Sequence, residues 1–266
     1  MSRLTGLYYT LSSRRNDMSG EMRMGIMSET WLQTARRVLP NLVRLSRQIR
    51  PTIHLSSVSD IRSEHLHHEG IKAILWDVDG TLMAHHAGRV DPDVADAFTV
   101  LLRAPDLRHA IVSNCQEARA AELGRMFPEV PVVLGYETKV GCVFRITRDV
   151  ETRWWSPGSD RPFGKPEIVS PIRKPSAKLI EAALVELNMS DEPEAVLLVG
   201  DQYFTDIVSA NLAGVSSAKV PTLKQASFPI PVKLSQRLET ILYRLRYGRP
   251  NFGWPEETKI QHTAED

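Results

Sequence analysis

The chain predicts an α/β fold, a Rossmann-like parallel sheet with helices on both faces and a small insert instead of a full cap domain. Three observations carry that expectation. From residue 71 onward, apolar runs of strand length alternate with segments of helical apolar spacing. The runs are continuous, as in strands covered on both faces. Polar turns containing Gly, Asp or Ser follow their carboxyl ends, which is where such sheets place ligands.

Residues 1–27 have no periodicity and are expected to form a disordered extension. Residues 28–69 form a basic helical lead-in. Within it Leu32, Ala35, Leu39, Leu42, Leu45 and Ile49 recur at spacings of three and four, an amphipathic helix over 31–50 that starts at Trp31 and kinks at Pro40. The core is expected over 70–222. Its first strand is Ile71–Trp76. Asp91 caps, and Pro92 opens, a helix running to about Arg103. His109–Val112 is the second strand, Gln116–Met126 a helix, and Pro131–Leu134 the third strand. Pro175 starts the helix Ser176–Leu187. Ala195–Val199 is the fourth strand, Tyr203–Leu212 a helix closed by Gly214, and Ser216–Val220 the fifth strand. Residues 223–266 read as a basic helix and tail, with Leu234, Leu238, Ile241, Leu242 and Leu245 on the helix.

Only 30 residues separate Leu82 from Ser113, too few for a cap domain. An insert lies instead at about 139–168. Its segments Val143–Ile146 and Thr152–Trp155 suit a hairpin around Asp149, basic and aromatic through Arg145, Arg148, Arg153, Trp154 and Trp155. It is expected to be either a small lid or an extension of the sheet edge.

The bulk numbers exclude several classes. The chain has 266 residues and a formal net charge of +1, so no global field draws it to nucleic acid. No apolar stretch approaches the ~20 residues of a membrane span. The only cysteines, Cys115 and Cys142, give no disulfide framework and fit a reducing compartment. The expected location is cytoplasmic, peripheral at a membrane, or an organelle matrix if the Arg- and Ser-containing N-terminus is a transit peptide. The charge is uneven. Residues 31–50 carry +5 and 233–249 carry +4, around a mildly acidic body. These basic amphipathic segments suit contact with an anionic membrane, or packing on the core or on each other with their arginines solvated.

Four pieces of chemistry follow strand ends. The first is Asp77-Val78-Asp79-Gly80-Thr81. A carboxylate nucleophile at Asp77 splits phosphate hydrolysis into two steps, and a neighbouring carboxylic acid at Asp79 supplies the leaving-group proton. Gly80 and Thr81 make a turn whose backbone N–H groups face a phosphate. The second is Ser113-Asn114, a hydroxyl and an amide at the end of the second strand. The third is Lys174, a cation for the phosphoryl transition state, preferred to Lys165 because a helix starts directly after it. The fourth is Gly200-Asp201 with Asp206 five residues on. Hard oxygen ligands from Asp77, the backbone carbonyl of Asp79, and Asp201 suit Mg2+, with Asp206 beside them as a further ligand or as a partner that orients Lys174. His65, His67, His68, His85 and His86 match no zinc spacing and are expected in surface loops, with His85 and His86 close enough to the first motif to touch substrate.

This set, in this order, resembles the haloacid dehalogenase (HAD) phosphohydrolase superfamily over about residues 70–220. The resemblance implies a HAD-like core, Mg2+ and an aspartyl-phosphate intermediate. It implies Asp77 as nucleophile, Asp79 as acid/base, Ser113 and Lys174 as phosphate stabilisers, and Asp201 with Asp206 as the metal motif. Gly200-Asp201-Gln202-x-x-Thr205-Asp206 with Asn211-x-x-Gly214, Gly70-Ile71-Lys72, and the stretch from Pro51 through Ser57 and Ile61 are similar to subfamily IIIA, the YqeG-type branch. That branch includes relatives of the mitochondrial phosphatidylglycerophosphate phosphatase. The chain departs from it at Gly80, where the branch usually has Asn, and in the 60 residues between Ser113 and Lys174. The expected substrate is a phosphorylated lipid head group such as phosphatidylglycerophosphate. The alternatives are a soluble sugar phosphate or nucleotide, and a non-catalytic phosphate-sensing module.

Overall fold

The computed structural model describes residues 45–159 and 164–254. Nine strands form one sheet: β1 (Ile53–His54), β2 (Ala73–Trp76), β3 (Arg108–Ile111), β4 (Val132–Thr138), β5 (Gly141–Arg148), β6 (Glu151–Trp155), β7 (Ile168–Ile172), β8 (Val196–Gly200) and β9 (Ser216–Lys219). The order is β1-β9-β8-β2-β3-β4-β5-β6, with β7 also pairing β4. From β1 to β4 every pairing is parallel; β5, β6 and β7 are antiparallel.

The parallel strands are apolar because both faces are covered. In β2, Ile74 and Trp76 join one core with Val94, Phe98 and Leu101 of helix α2 (Pro92–Leu102) and Ala120 and Leu123 of helix α3 (Glu117–Met126). Leu66 of the short helix α1 (Ser63–His68) joins the same core. Ala73 and Leu75 point the other way, toward Leu179, Ile180 and Ala183 of helix α4 (Ala177–Glu186) and Ala210 of helix α5 (Val208–Ala213). Helix α6 (Ile230–Tyr247) follows β9. Asp91 caps α2 through the Asp93 N–H, and Gly214, at φ 74°, closes α5.

Several expectations change. The helix over 31–50 lies largely outside the described residues, as does the extension 1–27. Its described end is not helical to Arg50: after a turn at Ser46–Gln48 the chain runs out to Pro51, and the Asn211 amide donates to the carbonyls of Gln48 and Arg50. Pro51 disfavours helical backbone at the residue before it. The C-terminal helix starts at Ile230, within the expected 223–266, where the Pro229-Ile230-Pro231 entry presets its first turn. The helix after Asp201 begins with a π turn, Tyr203–Ile207, before α5. Strands β1 and β7 carry no apolar run long enough to be read. β7 even contains Pro171, which an edge position tolerates.

Within the 139–168 insert, the described segments pair into the sheet. β5 and β6 form the hairpin around Asp149, which adopts φ 52°, and β5 pairs along the whole of β4. β7 takes the opposite edge of β4 beyond the point where β3 stops, at Val132.

Candidate active site

The parallel strands β2, β3 and β8 lie side by side, so the residues after their carboxyl ends meet. β2 delivers Asp77 and β8 delivers Asp201. Lys174 arrives two residues beyond β7, and Asp206 from the π turn. The Lys174 ammonium lies 2.6 Å from Asp77 Oδ1 and 2.6 Å from Asp206 Oδ1. All four side chains are buried, Lys174 to 1% exposure. Burial alone would pull the Lys174 amine down, but Asp206 and Asp77 outweigh it and hold the amine above its ordinary value, as a fixed cation. Burial pushes the Asp77 carboxyl up to about 7, against the pull of Lys174. Burial also raises Asp201, with Asp206 and Asp77 adding like-charge repulsion.

Three carboxylates share the Lys174 ammonium and the more distant pull of the Lys219 ammonium on Asp201 and Asp206, and remain short of positive charge. The donor oxygens of Asp77, Asp201 and Asp206 lie within 4.8 Å of one another. Asp201 Oδ2 accepts from Thr222 Oγ1 at 2.7 Å and from the Gln236 amide at 3.1 Å, while Asp201 Oδ1 is buried without a hydrogen-bond partner among the described residues. One oxygen is thus held and the other left bare. An all-oxygen donor set of this kind fits a hard divalent cation. Asp206 is more fully used: Oδ1 meets Lys174, and Oδ2 accepts from the Gln202 N–H at 2.9 Å. Gly200 permits this, since a Cβ there would run into the Asp206 side chain.

Asp79 diverges from Asp77. It accepts from Arg119 Nη2 at 3.1 Å and from the His86 N–H at 3.2 Å. His85 and His86 stand beside it, with donor atoms within 4.8 Å of it and of each other. His85 is not a plain surface histidine: its ring lies 4.8 Å from Phe228, and both ring nitrogens are buried without partners among the described residues. His65 packs on Trp254, away from this group.

Three expected phosphate contacts come out differently. The Gly80 and Thr81 N–H groups close the turn themselves, donating to Met83 O and Val78 O. Thr81 Oγ1 donates to Asp77 Oδ2 at 3.2 Å. The N–H groups left without acceptors among the described residues are those of Val78 and Asp79. Asn114, expected at the phosphate, brackets the lysine instead. Its Oδ1 accepts from the Lys174 N–H at 2.8 Å and its Nδ2 donates to Lys174 O at 3.1 Å. Ser113 is buried just past the end of β3. Lys165 pairs with Glu117 on the surface, outside the cluster.

Sequence reasoning missed the C-terminal contribution. The Leu223 N–H donates to Gly80 O at 2.7 Å, and His85 N–H donates to Ser227 Oγ at 3.2 Å. Gly80, at φ 96°, lies so close to Asp201 and Phe228 that a Cβ would fall 2.8 Å from Asp201 Oδ2 and 2.9 Å from the Phe228 ring. The segment after β9 therefore packs against the Gly80 turn beside Asp201. From α6, Gln236 reaches Asp201, and its own carbonyl oxygen accepts from the Gln225 amide at 3.1 Å. Glu239 accepts from the N–H groups of Tyr203 and Phe204, which are free because they open a helical turn. Arg119 was missed too. None of these sits in a local motif; a lone buried polar residue on an amphipathic helix is the only signal.

Residues 171–226 match a family model described as HAD-hyrolase-like. An uncharacterized protein from Listeria monocytogenes serotype 4b, known from a crystal structure, is 14% identical; the match covers 62% of this chain and 97% of that chain, at a TM-score of 0.35. No curated protein matches the chain. The family match supports the HAD superfamily, and a hydrolase in general terms, over the segment that carries Lys174, Asp201 and Asp206.

Proposed function

We propose that this chain is a Mg2+-dependent phosphomonoesterase that works through an aspartyl-phosphate on Asp77. The observation that carries the reading is the buried floor, where Lys174 bridges Asp77 and Asp206 while Asp201 keeps one oxygen bare.

In this reading Asp77 Oδ attacks phosphorus and the bond to the ester oxygen breaks. Asp79, held by Arg119, gives its proton to the departing alcohol. It then takes one from the water that attacks the aspartyl-phosphate, releasing inorganic phosphate and freeing Asp77. Lys174 neutralises charge on the phosphoryl oxygens, and Asn114 fixes the lysine backbone. Ser113 Oγ and the N–H groups of Val78 and Asp79 supply donors. Asp77, Asp201 and the Asp79 carbonyl, with Asp206 behind them, would hold the cation, which when bound neutralises the phosphate and the crowded carboxylates.

The finer assignment, to the YqeG-type branch and to phosphatidylglycerophosphate, rests on the motif pattern around Gly200–Gly214 and on the basic C-terminal helix. The test is phosphate release from phosphatidylglycerophosphate in mixed micelles beside a panel of soluble phosphate esters, with and without Mg2+. Asp77→Asn is expected to lower the rate by about 10^4-fold or more. Preference for a soluble ester would keep the mechanism and discard the lipid. Absence of Asp77-dependent release from every ester would leave a phosphate-binding module.

A further inference from the structure

Helix α6 is inside out. Its inward face holds Gln236, Glu239 and Tyr243, two of them polar residues used at the candidate active site. Its outward face holds Ile230, Leu234, Leu238, Ile241 and Leu245, between 45% and 78% exposed. At 3.6 residues per turn these five fall within a strip of roughly 80° around the helix. Lys233, Arg237 and Arg244 line one flank of that strip within roughly 40°. The one acid within α6, Glu239, is buried at 2% exposure.

We propose that α6 docks the protein on an anionic lipid surface, with the apolar strip at the boundary of head groups and acyl chains and the Lys233–Arg237–Arg244 row on acidic head groups. An apolar strip flanked by cations, with no exposed acid, is what an interfacial helix presents. Charge and position set the other occupants aside. An antiparallel pair of α6 helices from two copies would lay their cationic rows side by side. The described end of the arginine-rich segment 31–50 meets α6 at Tyr247, off the strip: the Tyr247 hydroxyl donates to Arg47 O, and the Arg50 guanidinium lies 6.0 Å from the Tyr247 ring.

The surface stands on α6 alone and does not depend on the catalytic reading. It deepens that reading, because the opposite face of the helix contacts Asp201 through Gln236. A docked α6 would hold the carboxylate floor about one helix diameter, ~10 Å, from the lipid.

The experiment is sedimentation of the full chain with vesicles of phosphatidylcholine, or of the same lipid with about one third phosphatidylglycerol, at low and high salt. The expected result is at least about tenfold tighter binding to the anionic vesicles, lost in high salt. Lys233→Gln/Arg237→Gln/Arg244→Gln should weaken binding by about 100-fold. Leu234→Ser/Leu245→Ser should weaken it by about tenfold or more. Both variants should keep the wild-type Tm and the wild-type oligomeric state. Equal binding to both vesicles, or full binding by both variants, would overturn the proposal. So would a dimer that the leucine variant dissociates, which would make the strip a self-association surface. A Tm loss of about 5 °C or more in the leucine variant would show that another part of the chain covers the strip. Hydrolysis is not read in this experiment, so failure of the phosphatase reading and failure of the docking surface remain separable.

Discussion

Asp77 and Asp79 stand two residues apart in sequence and in opposite settings. Asp77 sits on the floor, 7% exposed, among Lys174, Asp201 and Asp206. Asp79 sits on the rim, between Arg119 and two histidines. The turn at Val78, whose carbonyl accepts three N–H groups, separates them. The difference teaches that depth selects the partner. The floor needs a cation inside the protein, because a buried carboxylate left unpaired loses its hydration with nothing in return. The rim keeps contact with water, and its carboxylate is oriented by an arginine that a helix supplies.

The floor and the rim should respond differently to loss of their cations. Lys174→Met leaves Asp77 and Asp206 buried and facing each other, and should cost about 3–5 kcal/mol of stability in denaturant unfolding. Turnover should fall by about 10^2–10^3-fold as well. Arg119→Met should cost only about 1–2 kcal/mol. Equal losses would erase the distinction.

A pH titration sharpens the comparison from beneath the floor. Burial raises the Glu239 carboxyl from 4.5 to about 7, even though it accepts the N–H groups of Phe204 and Tyr203. The folded chain therefore holds this proton more tightly than the unfolded chain, so stability falls as pH rises from about 4.5 through 7. Between pH 5 and 8 the contribution lost from Glu239 is about 2 kcal/mol, and Glu239→Gln should make the slope shallower by that amount while leaving the shares of Asp77 and Asp201, which burial also raises. An unchanged slope in the variant would place the pH sensitivity elsewhere.

A further difference between floor and rim is expected in metal affinity. Gln236→Met frees Asp201 Oδ2 of one donor while keeping the side chain's bulk, and should weaken Mn2+ or Mg2+ binding by about 10–100-fold in calorimetry. A rim substitution, His86→Ala, should leave that affinity unchanged. If both variants bind metal alike, the cation is not held by Asp201.

Much of this was readable along the chain, and for a definite reason. A continuous apolar run followed by a polar turn identifies a strand end wherever both faces are covered. That placed Asp77, Ser113 and Asp201 at the ends of β2, β3 and β8. Lys174 was readable from the helix that starts after it, but β7 was not, because a short edge strand containing Pro171 lacks the run. The insert read as a hairpin, yet its choice between lid and sheet edge was settled only by the free edge of β4. Asn114, Gly80 and Thr81 read as phosphate contacts, but their hydrogen bonds were already taken by local turns and by the Lys174 backbone.

By itself the sequence determined the alternating elements, the sheet, and the order in which the carboxylates and the lysine reach its carboxyl edge. Those follow from periodicity and from turn chemistry, which act over a few residues. The tertiary structure alone decided that Asp206 serves Lys174, that Arg119 holds Asp79, and that Thr222, Gln236 and Glu239 brace the Asp201 loop. It also decided which face of α6 remains outside. These are contacts between residues distant in sequence. Which side of a helix is buried depends on what that side meets: a polar face can be drawn inward when buried N–H groups and a carboxylate there need partners, and the apolar face is then left to the surface.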